Sequence, residues 1–288
     1  MSAGASSDGA MSPEQTTAAK QCCARLYESE IVSRLLGDSF HPGGVALTER
    51  LGLLLDLTPD SHVVDAASGK GASAIFLAQR FGCRVSGFDL SQQNVDRATA
   101  EAVRQGLSDR VRFQRGDVER LPLEDDSVDA IICECAFCTF PDKPAAARQF
   151  ARVLRRGGRV GLSDITRAPG PSDELNDLMA WIACLADARS SGAYGAWLTD
   201  AGLTITAIET HDDVLRELVR AIGTRLFATD VLVGLKKIDL PGIDLEAAKR
   251  MAHQALVAVN TGRLGYAIVC AVRESLSQAP GPGRCSLS

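Results

Sequence analysis

The sequence of 288 residues contains no run of about 18 apolar residues, the length that a membrane-spanning helix requires. Its first stretch, MSAGASSDGAMSPEQ, lacks the basic start and apolar centre of a secretion signal. An excess of basic charge is also missing, because 36 acidic residues outnumber 31 basic ones and give a net charge of −5. These absences predict a cytoplasmic protein that binds neither a membrane nor nucleic acid.

Paired metal-binding cysteine motifs are absent as well, although the chain has nine cysteines. Cys135 and Cys138 have C-x-x-C spacing, but no second pair accompanies them, so a structural zinc site is not expected. An odd number of cysteines in a long chain without a secretion signal favours free thiols over a disulfide framework. The chain does have an ordinary globular balance, with 45% apolar and 23% charged residues, which is enough for a substantial core.

Short apolar strands alternate with helical patterns from residue 59 to about residue 168. This alternation predicts the α/β class, a doubly wound parallel sheet joined by crossover helices. Two more strands, LTITAIETH and LGYAIVCAVRE, are predicted further on, and about fifty residues of helical pattern, 212–261, separate them.

A glycine-rich turn and three carboxylates are the strongest local signals. The stretch VVDAASGKG places Asp65 at the end of a predicted strand, and Gly69 and Gly71 in the turn before a helix. Residues without Cβ let the backbone approach a ligand closely, and a helix N-terminus offers free N–H donors. Asp89 ends the next strand and Asp117 follows the third. The sequence therefore predicts a nucleotide site at this edge of the sheet, with Asp89 on the ribose.

Four stretches together, V-V-D-A-A-S-G-K-G, F-D-L-S, G-D-V-E-R-L-P and V-L-R-R-G-G-R-V, resemble class I S-adenosylmethionine-dependent methyltransferases over residues 45–168. The resemblance implies an enzyme that uses S-adenosylmethionine. It also implies a seven-stranded, mostly parallel sheet with an N-terminal helical arm and a helical insertion before the last, antiparallel strand. A Rossmann dehydrogenase is the competing interpretation, but it expects G-x-G-x-x-G, and this chain has Ala74 at the third glycine.

The resemblance also implies the cofactor site. Asp65 and the Gly69–Gly71 turn would hold the methionine moiety, and Asp89 the ribose hydroxyls. Ala67 stands where the family usually has its first glycine. The complete predicted cofactor site is Asp65, Ala67, Gly69, Gly71, Asp89, Leu90, Asp117 and Val118 (both at the adenine), and Glu134.

Domain boundaries follow from composition and from this resemblance. Residues 1–15 and 276–288 are predicted to be disordered tails. Residues 16–275 are predicted to form one methyltransferase domain. Within it, 16–58 is the N-terminal arm, 59–168 the cofactor-binding core, and 169–275 the substrate-side helices and C-terminal strands.

The stretch CECAFCTFPDK lies at the end of the fourth strand, on the edge of the predicted crevice. Cys133 and Cys135 share one face of that strand and Cys138 lies in the following loop. We predict that Cys133 belongs to the core, whereas packing and function both remain open for Cys135 and Cys138. This stretch resembles arsenite methyltransferases, which bind trivalent arsenic through cysteine thiolates and methylate it. The other resembling positions are Ser163, Asp164, Trp181, Cys184 and Leu185.

The acceptor site implied by this second resemblance is built from thiols, because soft thiolates select soft, thiophilic centres. Its predicted members are Cys184, one of the adjacent pair Cys22 and Cys23, and Cys135 or Cys138. The predicted metalloid ligands are Cys184, Cys23 and Cys138. In contrast, Cys83, Cys270 and Cys285 are predicted to be structural.

Other functions stay open at this stage. One is a small-molecule O-, N- or C-methyltransferase with a histidine base, either His41 or His211 beside Glu209. Another is a non-catalytic, thiol-based metalloid-binding protein on the same fold. The expected partner is therefore a small molecule or metalloid acceptor, and no oligomeric state is assigned.

Overall fold

The computed structural model describes residues 41–169, 187–234 and 244–275. The strands are β1 (His62–Ala66), β2 (Arg84–Asp89), β3 (Val111–Arg115), β4 (Val128–Glu134), β5 (Leu154–Arg167), β6 (Thr204–Thr210) and β7 (Leu264–Val272). The helices are α1 (Gly44–Leu54), α2 (Ala72–Phe81), α3 (Gln92–Arg104), α4 (Lys143–Val153), α5 (Ser191–Asp200), α6 (Asp212–Gly234) and α7 (Leu245–Asn260). Short 3-10 turns cover Val118–Arg120 and Phe137–Thr139.

The seven strands form one sheet in the order β3-β2-β1-β4-β5-β7-β6. Strand β7 runs antiparallel to β5 and β6, and the other neighbouring strands pair in parallel. The predicted α/β fold class is therefore confirmed. The helical pattern between the last two strands corresponds to α6 and α7, which is the predicted insertion.

The central strands are covered on both faces, which explains their continuous apolar sequences. Val63 and Val64 of β1 and Ile131 and Ile132 of β4 are completely buried. The edge strand β6 instead alternates between exposed and half-buried residues. Burial of the central apolar side chains is the main favourable term that holds the helices against the sheet.

The helix ends follow local sequence signals. Ser91, the predicted N-cap of α3, accepts a hydrogen bond from the backbone N–H of Asn94 at 3.2 Å. Gly82 ends α2 in the left-handed conformation, with φ of 71°, as the glycine stop predicted. The predicted helix ELNDLMAWIACLADAR falls outside the described residues except for its last three positions, which are not helical.

The strand order reverses between β1 and β4, because β2 and β3 lie on one side of β1 and β5 lies beyond β4. In open α/β sheets this reversal opens a crevice at the carboxyl ends of the strands, where ligands bind. No helix within the described ranges is both long and apolar enough to cross a bilayer. The two tails and the arm up to residue 40 lie outside those ranges, and the single-domain boundaries remain a prediction.

Candidate active site

The turn between β1 and α2 adopts a backbone that only a few residue types accept readily. Ala67, Gly69 and Gly71 all have positive φ, at 63°, 52° and 82°. The turn is held at both ends: the N–H of Ser68 donates to the Phe88 carbonyl of β2, and the N–H of Gly71 donates to the Ser68 carbonyl, both at 2.9 Å. The first N–H groups of α2 therefore sit at the mouth of the crevice, where they can bind a negatively charged or polar group.

The two glycines of this turn have different surroundings. A Cβ added to Gly71 would lie 2.5 Å from the Phe113 ring, so packing requires glycine there. A Cβ added to Gly69 would meet no heavy atom of the described residues within 4 Å. Gly69 thus leaves open space beside the turn, which fits a ligand that contacts the backbone.

Asp89, at the end of β2, braces the glycine turn as well as the next helix. Its carboxylate accepts hydrogen bonds from the N–H groups of Gly69 and Ser91, each at 2.8 Å. The side-chain amide of Asn94 donates to it from 3.4 Å. Leu90, the next residue, is half-buried. These bonds fix the position of a carboxylate that can also accept from ribose hydroxyls.

Asp117 and Val118 lie at the end of β3, beside Asp89. The Asp117 carboxylate accepts from the N–H of Glu119 at 3.0 Å, and so caps the short turn that follows. Val118 is buried. The adjacent Gly116 donates its N–H to the Asp89 carbonyl at 2.9 Å, which ties the two strand ends together. The structure therefore brings the predicted ribose and adenine residues into one stretch of the crevice.

Asp65, at the end of β1, is the most unusual carboxylate of the site. It is only 3% exposed, and its Oδ2 atom has no hydrogen-bond partner in the described structure. Burial raises the pKa of Asp65 well above its usual value, and the charges of Glu134 and Asp89 raise that pKa further. A buried acceptor without a donor fits a site that receives a cationic or hydrogen-bonding ligand.

Glu134, at the end of β4, has donors from two helices. It accepts hydrogen bonds from the hydroxyls of Thr48 in α1, at 3.0 Å, and Ser73 in α2, at 2.5 Å. His41 lies beside this pair, with Nε2 3.7 Å from the Glu134 carboxylate and 3.4 Å from the Thr48 hydroxyl. Thr48 and Ser73 could not be predicted from the sequence, because a single hydroxyl on a helix carries no pattern of its own.

Comparisons with known proteins identify the family. A family profile described as "Methyltransferase domain" matches residues 64–162. Methyltransferase GfsG of Streptomyces halstedii is 32% identical over 199 residues, which cover 68% of this chain and 70% of that protein. The chain belongs to the class I S-adenosylmethionine-dependent methyltransferases. This membership confirms the resemblance, the enzyme class and the cofactor.

Other relatives of this methyltransferase have varied acceptors. An arsenite methyltransferase of Halobacterium salinarum is 31% identical over 202 residues, which cover 67% of this chain but only 51% of that protein. This chain thus spans about half of that relative. A geranyl diphosphate C-methyltransferase from Streptomyces coelicolor A3(2), solved with S-adenosyl-L-homocysteine, has a TM-score of 0.72. It is 19% identical, covers 88% of this chain and 98% of its own, and shows the shared fold.

The five described cysteines of this methyltransferase differ in their surroundings. Cys133 is completely buried in β4, as predicted for a core residue, and burial raises the pKa of its thiol well above the usual value. Burial also raises the pKa of Cys83 to about 11 and that of Cys270 to about 12, in line with their predicted structural roles. High pKa values suppress the reactive thiolate form.

Cys135 and Cys138 have different surroundings in the fold. Cys135 is half-buried at the carboxyl end of β4, where its N–H donates to the Ser163 carbonyl at 2.7 Å and its φ is 52°. Cys138 is completely buried, and its N–H donates to the Asp164 carboxylate at 2.9 Å. Between these two alternatives the placement favours Cys135, and the acceptor role of either residue stays a prediction.

The other positions that resemble arsenite methyltransferases, and the other predicted acceptor cysteines, are either buried or outside the described residues. Asp164 is fully buried, and Ser163 is buried with its hydroxyl 2.8 Å from the Tyr266 hydroxyl. Cys22, Cys23, Trp181, Cys184 and Leu185 lie outside the described residues. Among the described residues, no group of three or more His, Cys, Asp or Glu side chains is arranged to hold a metal ion.

The second predicted histidine stands apart from the crevice. His211 follows β6 and lies 3.3 Å from the Glu209 carboxylate, which also pairs with Arg50 of α1. The hydrogen bond from Arg50 is the largest cause that lowers the pKa of Glu209. Glu209 is paired through Ile268 of β7 to Ser163 of β5, so β7 and β5 separate it from Glu134. His41, beside Glu134, is the histidine that the structure brings to the cofactor crevice.

Proposed function

We propose that this methyltransferase transfers the methyl group of S-adenosylmethionine to a small thiophilic acceptor over the carboxyl ends of β4 and β5, and that the acceptor is trivalent arsenic. The observation that carries the proposal is the placement of Cys135. Of the five cysteines in the described ranges, it alone is not buried. It directly follows Glu134, the last residue of β4, which lines the crevice.

Each part of the cofactor is assigned to particular residues of the crevice. Asp65 and the open turn at Gly69 receive the methionine moiety, Asp89 the ribose hydroxyls, and Asp117 with Val118 the adenine. Three observations support this assignment: the unpaired Oδ2 of Asp65, the open space at Gly69, and the fixed carboxylate of Asp89. Once bound there, the cofactor supplies an electrophilic methyl group, and the residues of the chain orient it.

The acceptor side rests on ligand chemistry. Thiolates are soft ligands, and they bind soft centres such as trivalent arsenic in preference to hard ones. Methyl transfer to such a centre depends on positioning more than on acid–base catalysis. Cys135 would act with Cys184 and with Cys22 or Cys23. Similarity to the arsenite methyltransferase of Halobacterium salinarum supports this choice of acceptor.

A second candidate function is supported by a separate observation, the group formed by His41, Thr48 and Glu134. An imidazole oriented by a hydroxyl and a carboxylate can accept a proton from an acceptor hydroxyl or amine. In that case the enzyme would be an O-, N- or C-methyltransferase of a small organic molecule.

An acceptor screen decides between these functions. The purified enzyme is given S-adenosylmethionine and either arsenite with a reducing thiol or a panel of phenols, amines and thiols, and S-adenosylhomocysteine formation is measured. We expect turnover with arsenite, with loss of that turnover in Cys135→Ser and Cys184→Ser and retention in the control Cys285→Ser. A serine hydroxyl is hard and therefore a poor ligand for arsenic, so each change should affect arsenic binding alone. Cofactor affinity should be unchanged in all three variants.

Two results would contradict parts of this proposal, the first its acceptor and the second the role of Cys135. One is turnover with a phenol or amine and none with arsenite, with loss of activity in His41→Ala; this result would favour the histidine-based function. The other is arsenite methylation that survives Cys135→Ser at the wild-type rate, which would remove Cys135 from the acceptor site.

A further inference from the structure

Three of the carboxylates at the cofactor crevice, Asp89, Glu134 and Asp65, differ in how their oxygens are paired. The Asp89 carboxylate accepts hydrogen bonds from the backbone N–H groups of Gly69 and Ser91. Glu134 receives the hydroxyls of Thr48 and Ser73, with His41 close by. Asp65 has a backbone hydrogen bond from Ala74 in α2, but its Oδ2 atom is buried and has no donor among the described residues.

The charges that face Asp65 are also unfavourable to a third negative charge. The negative charges of Glu134 on β4 and of Asp89 on β2 both favour the protonated form of Asp65. The Ala74 N–H acts in the opposite direction, but burial outweighs it. A proton on Oδ2 would remove one negative charge from the crowded crevice, where a buried, unpaired acceptor is costly. Asp65 is therefore the carboxyl group of this site on which a proton is most favourable.

We propose that Asp65 carries a proton in the cofactor-free enzyme and releases it to solvent when the ammonium group of the cofactor's methionine moiety binds. The carboxylic acid becomes a carboxylate paired with the ammonium, and the proton passes to the buffer, so charge and atoms balance. The proposal rests on the cofactor assignment made above and is independent of the acceptor.

This coupling makes cofactor affinity depend on pH. While Asp65 is protonated in the free enzyme, each rise of one pH unit strengthens binding by up to about tenfold, because one proton leaves for each cofactor bound. Above the pKa of the free enzyme the carboxylate is already formed, so the affinity no longer rises and no proton is released.

Calorimetric titration with S-adenosylhomocysteine measures the proton directly. The titration is repeated at pH values from 5.5 to 8.5 in two buffers with different enthalpies of ionisation, and the difference in apparent enthalpy gives the number of protons released. We expect a release approaching one proton per site at pH values below the pKa of Asp65 in the free enzyme, a decline toward zero above it, and an affinity that rises with pH as long as the proton is released. Release near zero throughout the range, with an affinity independent of pH, would overturn the proposal.

Two controls test whether the released proton comes from Asp65 and whether the ammonium group causes its release. Asp65→Asn should bind without proton release and with an affinity that varies little with pH, whereas the exposed Asp109→Asn should behave as wild type. 5′-Methylthioadenosine, which lacks the amino-acid part, should bind to the wild type without releasing a proton. Proton release that persists in Asp65→Asn, or that methylthioadenosine causes equally, would contradict the proposal. No acceptor is present, so failure here is separate from failure of the arsenic proposal.

Discussion

At the scale of single residues, Ala67 has an unfavourable backbone conformation in the turn between β1 and α2. Its φ of 63° lies in the left-handed region, where a Cβ crowds the following carbonyl oxygen. This is the position at which the resemblance to class I methyltransferases suggested a glycine, and the structure explains why a glycine is common there. The strain persists because hydrogen bonds hold the turn on both sides.

Ala67→Gly should therefore stabilise the protein. Relief of the left-handed strain contributes about 1–2 kcal/mol, and the added freedom of the unfolded chain offsets about 0.4–1 kcal/mol of it. We expect a net increase of up to about 1.6 kcal/mol in the free energy of unfolding, measured with urea. Its neighbour Ala66 is the control: it is buried in β1 with ordinary strand geometry, so Ala66→Gly should destabilise. Equal losses from both changes would show that the strain at Ala67 is not significant.

At the scale of elements, the strand–turn–helix unit of β1 and α2 uses its two glycines for different purposes. Gly71→Ala places a methyl group 2.5 Å from Phe113 and 2.9 Å from the Ala98 side chain, at a φ of 82°. Strain and overpacking together should cost about 2–4 kcal/mol of stability. Gly69→Ala meets no atom of the described residues, so its cost should be the backbone strain alone, about 1–2 kcal/mol.

The effects of these two changes on cofactor affinity should rank in the opposite order to their effects on stability. Gly69→Ala fills the open space beside the turn, so we expect its affinity for S-adenosylhomocysteine, measured by calorimetry, to fall at least about tenfold, a loss of about 1.4 kcal/mol. Wild-type affinity in Gly69→Ala would mean that the cofactor does not approach this turn.

The contact between α1 and β4 is a second feature at this scale. Thr48 is completely buried, and its hydroxyl donates to Glu134, whose side chain is 4% exposed. Thr48→Val removes this donor from a buried carboxylate without a large change of shape, and should lower the free energy of unfolding by about 1–3 kcal/mol. Thr99→Val, on the exposed face of α3, is the matched control and should stay within about 0.5 kcal/mol of wild type. Similar values for both variants would mean that Glu134 finds another donor.

At the scale of the whole molecule, the buried acid Asp65 links stability to pH. Its pKa lies well above 3.8 in the folded protein, so between these two values the folded state binds a proton that the unfolded state has lost. The contribution of Asp65 to stability is thus fully present below about pH 4 and is lost as pH rises through the folded pKa. The loss amounts to about 1.4 kcal/mol per pH unit within that window.

Urea unfolding of the cofactor-free protein at several pH values from 4.5 to 8 tests this expectation. The stability of wild type relative to Asp65→Asn should decline as pH rises, and it should become constant only above the pKa of Asp65 in the folded protein. The difference between the two proteins isolates Asp65 from other buried acids such as Asp164, whose pKa burial also raises. A difference that is constant across the range would contradict the raised pKa.

Much of the architecture could be predicted because its signals are local. The apolar stretch VVDA indicates a buried strand, Ser91 an N-cap and Gly82 a helix end, and each signal depends only on residues a few positions away. The carboxylates Asp65, Asp89 and Asp117 were predictable as a group, since each ends a strand and parallel strands end at one edge. The same reasoning could not separate Cys135 from Cys138, which have the same residue type and lie three positions apart.

The sequence by itself determined the doubly wound sheet, the position of its crevice and the family of the enzyme, because the period of apolar residues and the geometry of turns are properties of short stretches. Only the tertiary structure decided that Thr48 and Ser73 bind Glu134, that Gly71 packs on Phe113 while Gly69 faces open space, and that Cys138 is buried on Asp164. These contacts join residues 26 to 86 positions apart. Their distances are set by how helices settle on the sheet, and no periodicity in the chain encodes that packing.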